Sequence, residues 1–475
     1  MLNFKSTPSQ ISKDTRYSIS DGIFWVLMNS ISLSFLVPFI ITLGASPLQV
    51  GLIDTLPIFL TSFLVLISYK ILSSFNSKRQ AVVFFVTLQA FLWIPLALAK
   101  FFFSSSTVIW VIISIYVLLV GCGVIIDPIY RDWIRKLFPP QIIGQFIANK
   151  NIILDTFSIL PIILAGLFLD LVKYDKNLYG FVILFIFAGA FRFISSRMLH
   201  HISETEDKEE ILIETKQMSQ PIFSVFRKEV LKDKVFFNFL VLVLFYYFGL
   251  YISTSYFSYL LLSVLHFGFT NYILWSVAFV FGSVFSLSYW GYICDRYGSV
   301  RILKATIAFI PFTLVVEYFF LNNMPALVIM QFISGIIFAG FNYSILNYFY
   351  QNVKDDLINH MGFFYIFQAS AMLAGSLVGA GLIKIGEEIY GNEVQAIFLV
   401  IVVSMVFRYI AFMYSRKLKS VDIDPQAKEI DLYRNIILQI PVSYSVKQFW
   451  HVLSEQERVF VNTFKSKIHL PRKKT

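Results

Sequence analysis

Residues 291–301 read Gly291-Tyr-Ile-Cys-Asp295-Arg296-Tyr-Gly298-Ser-Val-Arg301 and join two long apolar runs, about 269–293 and 302–321. A spanning helix takes roughly 20 apolar residues, and each run is long enough to be one. The joining segment carries its own physics. Gly291 permits close helix approach and Gly298 a tight turn. Asp295 suits the positive N-terminus of a facing helix, while Arg296 and Arg301 hold an aqueous boundary.

Outward from this loop the same pattern repeats along the chain. Twelve apolar stretches lie at about 22–43, 48–72, 81–99, 106–128, 148–170, 178–198, 235–262, 269–293, 302–321, 325–349, 361–385 and 394–415. Turn residues separate them, among them Gly44-Ala45-Ser46-Pro47, Asn76-Ser77, Pro139-Pro140 and Asn322-Asn323. The whole 475-residue chain is 57% hydrophobic and 14% charged, against about a quarter charged for a soluble protein. A disordered chain is excluded, and a soluble enzyme of ordinary make-up does not fit. The 52 phenylalanines suit lipid-facing surface first and an aromatic-lined cavity second. Cys122 and Cys294 have no neighbours that suggest a bridge or a metal site, and no cofactor is implied.

Lys and Arg in the connections set the orientation. With the N-terminus inside, fourteen lie in the arm and short inner loops, including Lys5, Arg16, Lys78, Arg79, Arg135 and Lys304. Only Lys100, Lys173, Lys176 and Lys384 lie outside. Both termini are therefore expected in the cytoplasm, in a multi-pass protein of the plasma membrane. The net charge of +10 follows the loops, so lipid and not nucleic acid is its counterpart. Residues 1–21 form an arm, 22–198 a first six-helix bundle, 199–234 a charged linker, 235–416 a second bundle and 417–475 a basic tail. A surface helix is expected at 221–234, with tail helices at about 425–440 and 454–468. Two matches relate the bundles: Phe191-Arg192-Phe193-Ile194 with Phe407-Arg408-Tyr409-Ile410, and Ala165-Gly166-Leu167 with Ala380-Gly381-Leu382. Six-span repeats keep their orientation, which places the symmetry axis along the membrane normal.

The 291–301 loop resembles the signature loop of the major facilitator superfamily, roughly G-x-x-x-D-[RK]-x-G-x-[RK]. The resemblance extends over about 22–418. The first-half counterpart, Lys70-Ile-Leu-Ser73-Ser-Phe-Asn76-Ser-Lys78-Arg79, lacks the acid and the glycine. The segment Asp127-Pro-Ile-Tyr-Arg131-Asp132-Trp is similar to the fourth-to-fifth connection of many members. The resemblance implies an all-α fold of twelve transmembrane helices in two pseudo-symmetric six-helix bundles. It also implies alternating access around a cavity lined by spans one, four, seven and ten.

Polar residues in three of those spans fall at three-or-four spacing, each set forming one stripe. Span one offers Trp25, Asn29 and Ser32; span seven Tyr247, Tyr251 and Thr254; span ten Gln331, Ser334 and Asn342. These are the expected cavity residues, with interhelical hydrogen bonding as the alternative. Ionisable groups within spans generally face protein or a wet cavity. Asp54 and Glu317 are the expected coupling acids, although a structural hydrogen bond also accounts for Asp54. Asp155 is expected to meet Arg192 or Arg131, as a gate or a brace. Arg192 and Arg408 near the ends of spans six and twelve read as structural. A resemblance to sodium-coupled sugar permeases, through Asp54 and Asp127, is incomplete, because a second span-two acid is missing.

No nucleotide-binding loop G-x-x-x-x-G-K-[ST], H-E-x-x-H or G-x-S-x-G motif occurs. The reading is a monomeric secondary transporter, not an enzyme, moving a small solute with proton rather than sodium coupling. The alternatives are a non-cycling scaffold or sensor acting through its tail, and a lipid-handling protein of the same fold.

Overall fold

The computed structural model describes residues 8–138, 140–172, 177–204, 208, 211, 233–352 and 357–418. The surface helix expected at 221–234, apart from its last two residues, and both expected tail helices lie outside them.

Every described element is helical. The helices are α1 Pro8–Thr42, α2 Pro47–Ser62, α3 Leu64–Leu72, α4 Lys78–Phe102, α5 Ser105–Leu137, α6 Pro140–Leu171 and α7 Asn177–His200. After the linker come α8 Lys234–Tyr259, a single π-helical turn Leu260–Val264, α9 Phe269–Tyr297, α10 Ser299–Phe319, α11 Met324–Asn352, α12 Leu357–Tyr390 and α13 Glu393–Ser415. Ten described helices are long and apolar enough to cross a membrane. The α2–α3 pair and α6 complete the set of twelve membrane-crossing segments. Lipid offers backbone groups no hydrogen bonds, so an apolar chain of this kind satisfies them within helices.

The helix starts are written in the sequence. Ser46 accepts a bond from the Gln49 amide while the Gln49 side chain accepts one from the Ser46 amide, and Pro47 opens the helix behind them. Asp233 accepts from the amides of Val235 and Phe236 at 2.8 and 3.1 Å, and Asn392 does the same for α13. The structure differs from the expected spans in two places. The second run is not continuous, since α2 and α3 meet at Phe63. The first helix begins at Pro8, and the polar face of the arm, with Asp14, Ser18 and Asp21, is buried by other helices instead of being solvated.

Two compact units are distinguishable. One comprises residues up to Val277 together with Val353–Leu418, and the other contains Ala278–Asn352. In the first, α1 packs on α6 and α7, α4 on α5 and α7, and α8 on α12 and α13. Phe39, Phe185 and Trp93 interlock α1, α7 and α4, with ring centroids 5.1 and 5.6 Å apart. A second core gathers Val82, Ile129, Trp133 and Leu199, and Trp133 donates its indole N–H to the Ser203 carbonyl at 3.0 Å. In the other unit α10 packs on α11. Gly282 of α9 and Gly335 of α11 face each other across a crossing so close that a side chain on either would strike the opposite backbone.

Candidate functional site

Asp54 sits two turns into α2, behind the Ser46 cap. One turn earlier, Gly51 lacks a side chain, and the Tyr256 and Ser376 hydroxyls come up to its backbone. Tyr256 donates to the Ser376 carbonyl, and Thr55 donates to the Gly51 carbonyl at 2.8 Å with the Ser376 hydroxyl 3.4 Å away. These bonds seat α2 against α8 and α12 and fix the position of Asp54.

Asp54 is half-buried and makes no well-made hydrogen bond or ion pair to any described residue. Ser255 stands beside it, but the pair falls short of good bonding geometry. The Ser255 hydroxyl, in a residue only 3% exposed, is left without a partner. The charge of Asp54 reaches four tyrosines: Tyr116 on α5, Tyr251 and Tyr256 on α8, and Tyr272 on α9. Tyr272 shares a 3.3 Å bond with Ser258, and Tyr256 is held by Ser376. The hydroxyls of Tyr116 and Tyr251 have no hydrogen bond among the described residues, and both side chains are half-buried. Tyr251 is in turn within electrostatic reach of Tyr247, and Tyr247 of Tyr365 on α12. The cluster is a carboxylate among neutral aromatic alcohols, with no cation beside it among the described residues.

A second polar network lies in the same unit. Asp21 of α1, 6% exposed, accepts from Ser195 at 2.7 Å and from Tyr130 at 3.4 Å. Lys150 of α6 donates to Tyr130 at 2.6 Å and to Ser18 at 3.0 Å. Arg192 of α7 donates to Gln89 at 2.7 Å and to Ser195 at 3.1 Å. Each cation therefore reaches the acid through a hydroxyl, and five helices are tied together.

A third feature joins α6 to α9. Asp170, at the C-terminal end of α6, accepts from the amides of Phe269 and Thr270 at 3.0 and 2.7 Å and from the Thr270 hydroxyl. It caps the first turn of α9, where amide donors and the helix dipole both favour an anion. Phe181 meets Phe269 edge-on at 5.5 Å, and Gly166 lets Ile273 pack against the α6 backbone.

The expected site residues are distributed as follows. Trp25 and Thr254 are exposed, Asn29 and Tyr251 half-buried, and Tyr247 buried. Thr254 donates to the Leu250 carbonyl at 2.8 Å, and Ser32, fully buried, to the Met28 carbonyl at 2.7 Å. In the other unit Ser334 donates to the Glu317 carboxylate at 3.0 Å, deep between α10 and α11. Gln331 is half-buried there and Asn342 exposed.

In the 291–301 loop, Gly291 stands against the Tyr343 hydroxyl, and Gly298 takes φ +85° where α10 begins. Arg296 is exposed over the Tyr297 ring and donates to Tyr292 at 3.3 Å, and Arg301 is half-buried. The side chains of Asp295 and Asp155 lie outside the described residues. Arg131 is exposed and pairs with Asp127 at 2.8 Å on its own helix. Arg408 is buried on α13 and donates to Ser253 at 2.9 Å and the Leu250 carbonyl at 3.3 Å. In the first half, Lys78 is fully buried in an ion pair with Asp132, and Arg79 pairs with Glu204 at 3.1 Å.

Sequence reasoning missed Asp21, Lys150, Asp170, Tyr116 and Ser255. A signal existed for the first: Asp14, Ser18, Asp21, Trp25 and Asn29 continue one stripe at three-or-four spacing. Asp170 gave none, because most of its partners are backbone amides.

A chain of apolar helices, ten of them long enough to cross a membrane, with polar networks buried between them, is a multi-pass membrane protein. The sequence profile of the Major Facilitator Superfamily matches residues 22–349 and 272–461, and the chain belongs to that family. Solved structures share its fold. The crystal structure of a point mutant of the nucleoside transporter NupG aligns with TM-score 0.64 at 13% identity, over 85% of this chain and 100% of that one. The D-xylose-proton symporter gives 0.62 at 12% identity, over 87% and 100%. A bacterial homologue of the iron transporter ferroportin in an inward-facing state gives 0.60 at 14%, over 87% and 99%. No curated protein matches the chain. The family and these neighbours are transporters rather than enzymes.

Proposed function

We propose that this protein is a monomeric, proton-coupled secondary transporter of a small solute in the plasma membrane, with both termini in the cytoplasm and Asp54 as the principal proton carrier. The observation that carries the coupling is the Asp54 carboxylate. It is half-buried where α2 meets α8 and α12, and it has no counter-ion among the described residues. A buried ionic group with a permanent counter-ion has little reason to change protonation, whereas one without a counter-ion is free to. Glu317, bonded to Ser334, is the second acid of this reading. The lysine and arginine bias supports an inner Asp14 end and an outer Asp170 end. The Asp170 cap then supports a state closed on the outside, and outward opening requires that cap to release.

The test needs no substrate. Single cysteines at Asn29 and Tyr251 in proteoliposomes should be labelled from one face at a time by impermeant thiol reagents. The preferred face should change with pH. Asp54→Asn should keep one-sided labelling and lose its pH response. Labelling from neither side under any condition defeats alternating access, and an unchanged pH response in Asp54→Asn defeats the Asp54 assignment.

A further inference from the structure

We propose that Asp54, Ser255 and the tyrosines Tyr116 and Tyr251 form a binding site for a monovalent organic cation, so that the transported solute is an amine or quaternary ammonium compound. The inference rests on the transport reading and names its substrate class.

The site's chemistry excludes the other classes one by one. An anion would meet Asp54 with no positive side chain among the described residues of the cluster to hold it. A neutral sugar or nucleoside could use open hydroxyls but would leave the Asp54 charge without a counter-ion, and Tyr256 and Tyr272 are already committed to Ser376 and Ser258. What stays open is one negative charge, three unpartnered hydroxyls (Ser255, Tyr116 and Tyr251) and aromatic rings. An organic cation suits this set: the carboxylate supplies the counter-charge, ring faces attract cations electrostatically, and the hydroxyls accept the N–H donors of a protonated amine or turn their oxygens toward a quaternary ammonium. The Ser255 hydroxyl, 3% exposed and beside Asp54, makes no well-made bond to a described residue, so it is open to a ligand that meets the carboxylate. Proton and solute compete for one carboxylate in this arrangement. Asp54 releases its proton to water when the cation enters and takes one back when it leaves.

The test uses the full chain, purified in detergent, and four probes of similar size: benzyltrimethylammonium, benzylamine, benzyl alcohol and benzoate. Thermal stabilisation and equilibrium dialysis should detect the two cations and neither of the others. Asp54→Asn should weaken benzyltrimethylammonium by about tenfold or more. Tyr251→Ala should weaken it as well, while Tyr251→Phe, which keeps the ring, should retain most of the affinity. The Tyr251 pair keeps the test decisive if Asp54→Asn does not fold. Equal binding of benzyl alcohol, no binding of either cation, or unchanged affinity in Tyr251→Ala overturns the proposal. Displacement of the probe by sodium but not by potassium at equal ionic strength also overturns it, in favour of an inorganic ion. One-sided, pH-dependent labelling at Asn29 and Tyr251 that persists without cation binding leaves transport standing and removes only this inference.

Discussion

Replacing Asp21 with alanine leaves Arg192 buried among Gln89 and Ser195 with no anion nearby in the network. Removing one partner of a buried ionic group costs about 3–5 kcal/mol, because the survivor stays charged and desolvated. Ser195→Ala removes only one link, and interhelical hydrogen bonds in membranes average about 0.6 kcal/mol. Unfolding midpoints of the two variants in mixed detergent should therefore separate widely, with Asp21→Ala far the lower. Equal midpoints would mean that Arg192 finds another counter-charge. The role of Asp21 was obscured by hydropathy, which averages over a helix and places a mixed segment outside the membrane. Its helical stripe was present all along, but only the burial of Asp14, Ser18 and Asp21 as α1 packs on α6 and α7 shows that this part of the stripe faces protein.

At the level of elements, the junction of α6 with α9 and the crossing of α9 with α11 carry opposite chemistry. Asp170→Ala removes a charged cap worth about 1 kcal/mol, roughly a fivefold change in a two-state population. The variant should fold, and labelling at Tyr251 should move toward the outer face; an unchanged ratio would show that the cap does not hold the state. The Gly282–Gly335 crossing has no such tolerance. Gly335→Leu forces a side chain into the Phe279 carbonyl and should cost about 3 kcal/mol or more, visible as lost monodisperse protein. The helices themselves were largely legible: caps such as Ser46-Pro47 and the Gly298 turn stand in the sequence. Helix ends were less so, because apolar runs mark the hydrocarbon depth while helices continue into the interface, as α5 does to Leu137.

Over the whole chain, the repeat was legible through Arg192 and Arg408, which share a position in their halves. Their surroundings were not. Arg192 enters a network with an acid, whereas Arg408 is held by Ser253 and a carbonyl. Likewise the first-half loop that lost its signature acid carries a fully buried Lys78 paired with Asp132. A motif search registers only the loss, because the replacement uses residues distant in sequence. The Asp54 cluster was half legible. The acid and Tyr251 stood out, but Tyr116 and Ser255 belong to stretches whose neighbours in space the sequence does not specify.

At the Asp170 junction, two of the three groups that receive the acid on α9 are main chain, which every residue except proline supplies identically. The amino acids at 269 and 270 can drift with little loss of hold. Statistical methods that infer proximity from correlated substitution will therefore pass over this junction, and the main inherited trace will be a solitary acid with no visible companion.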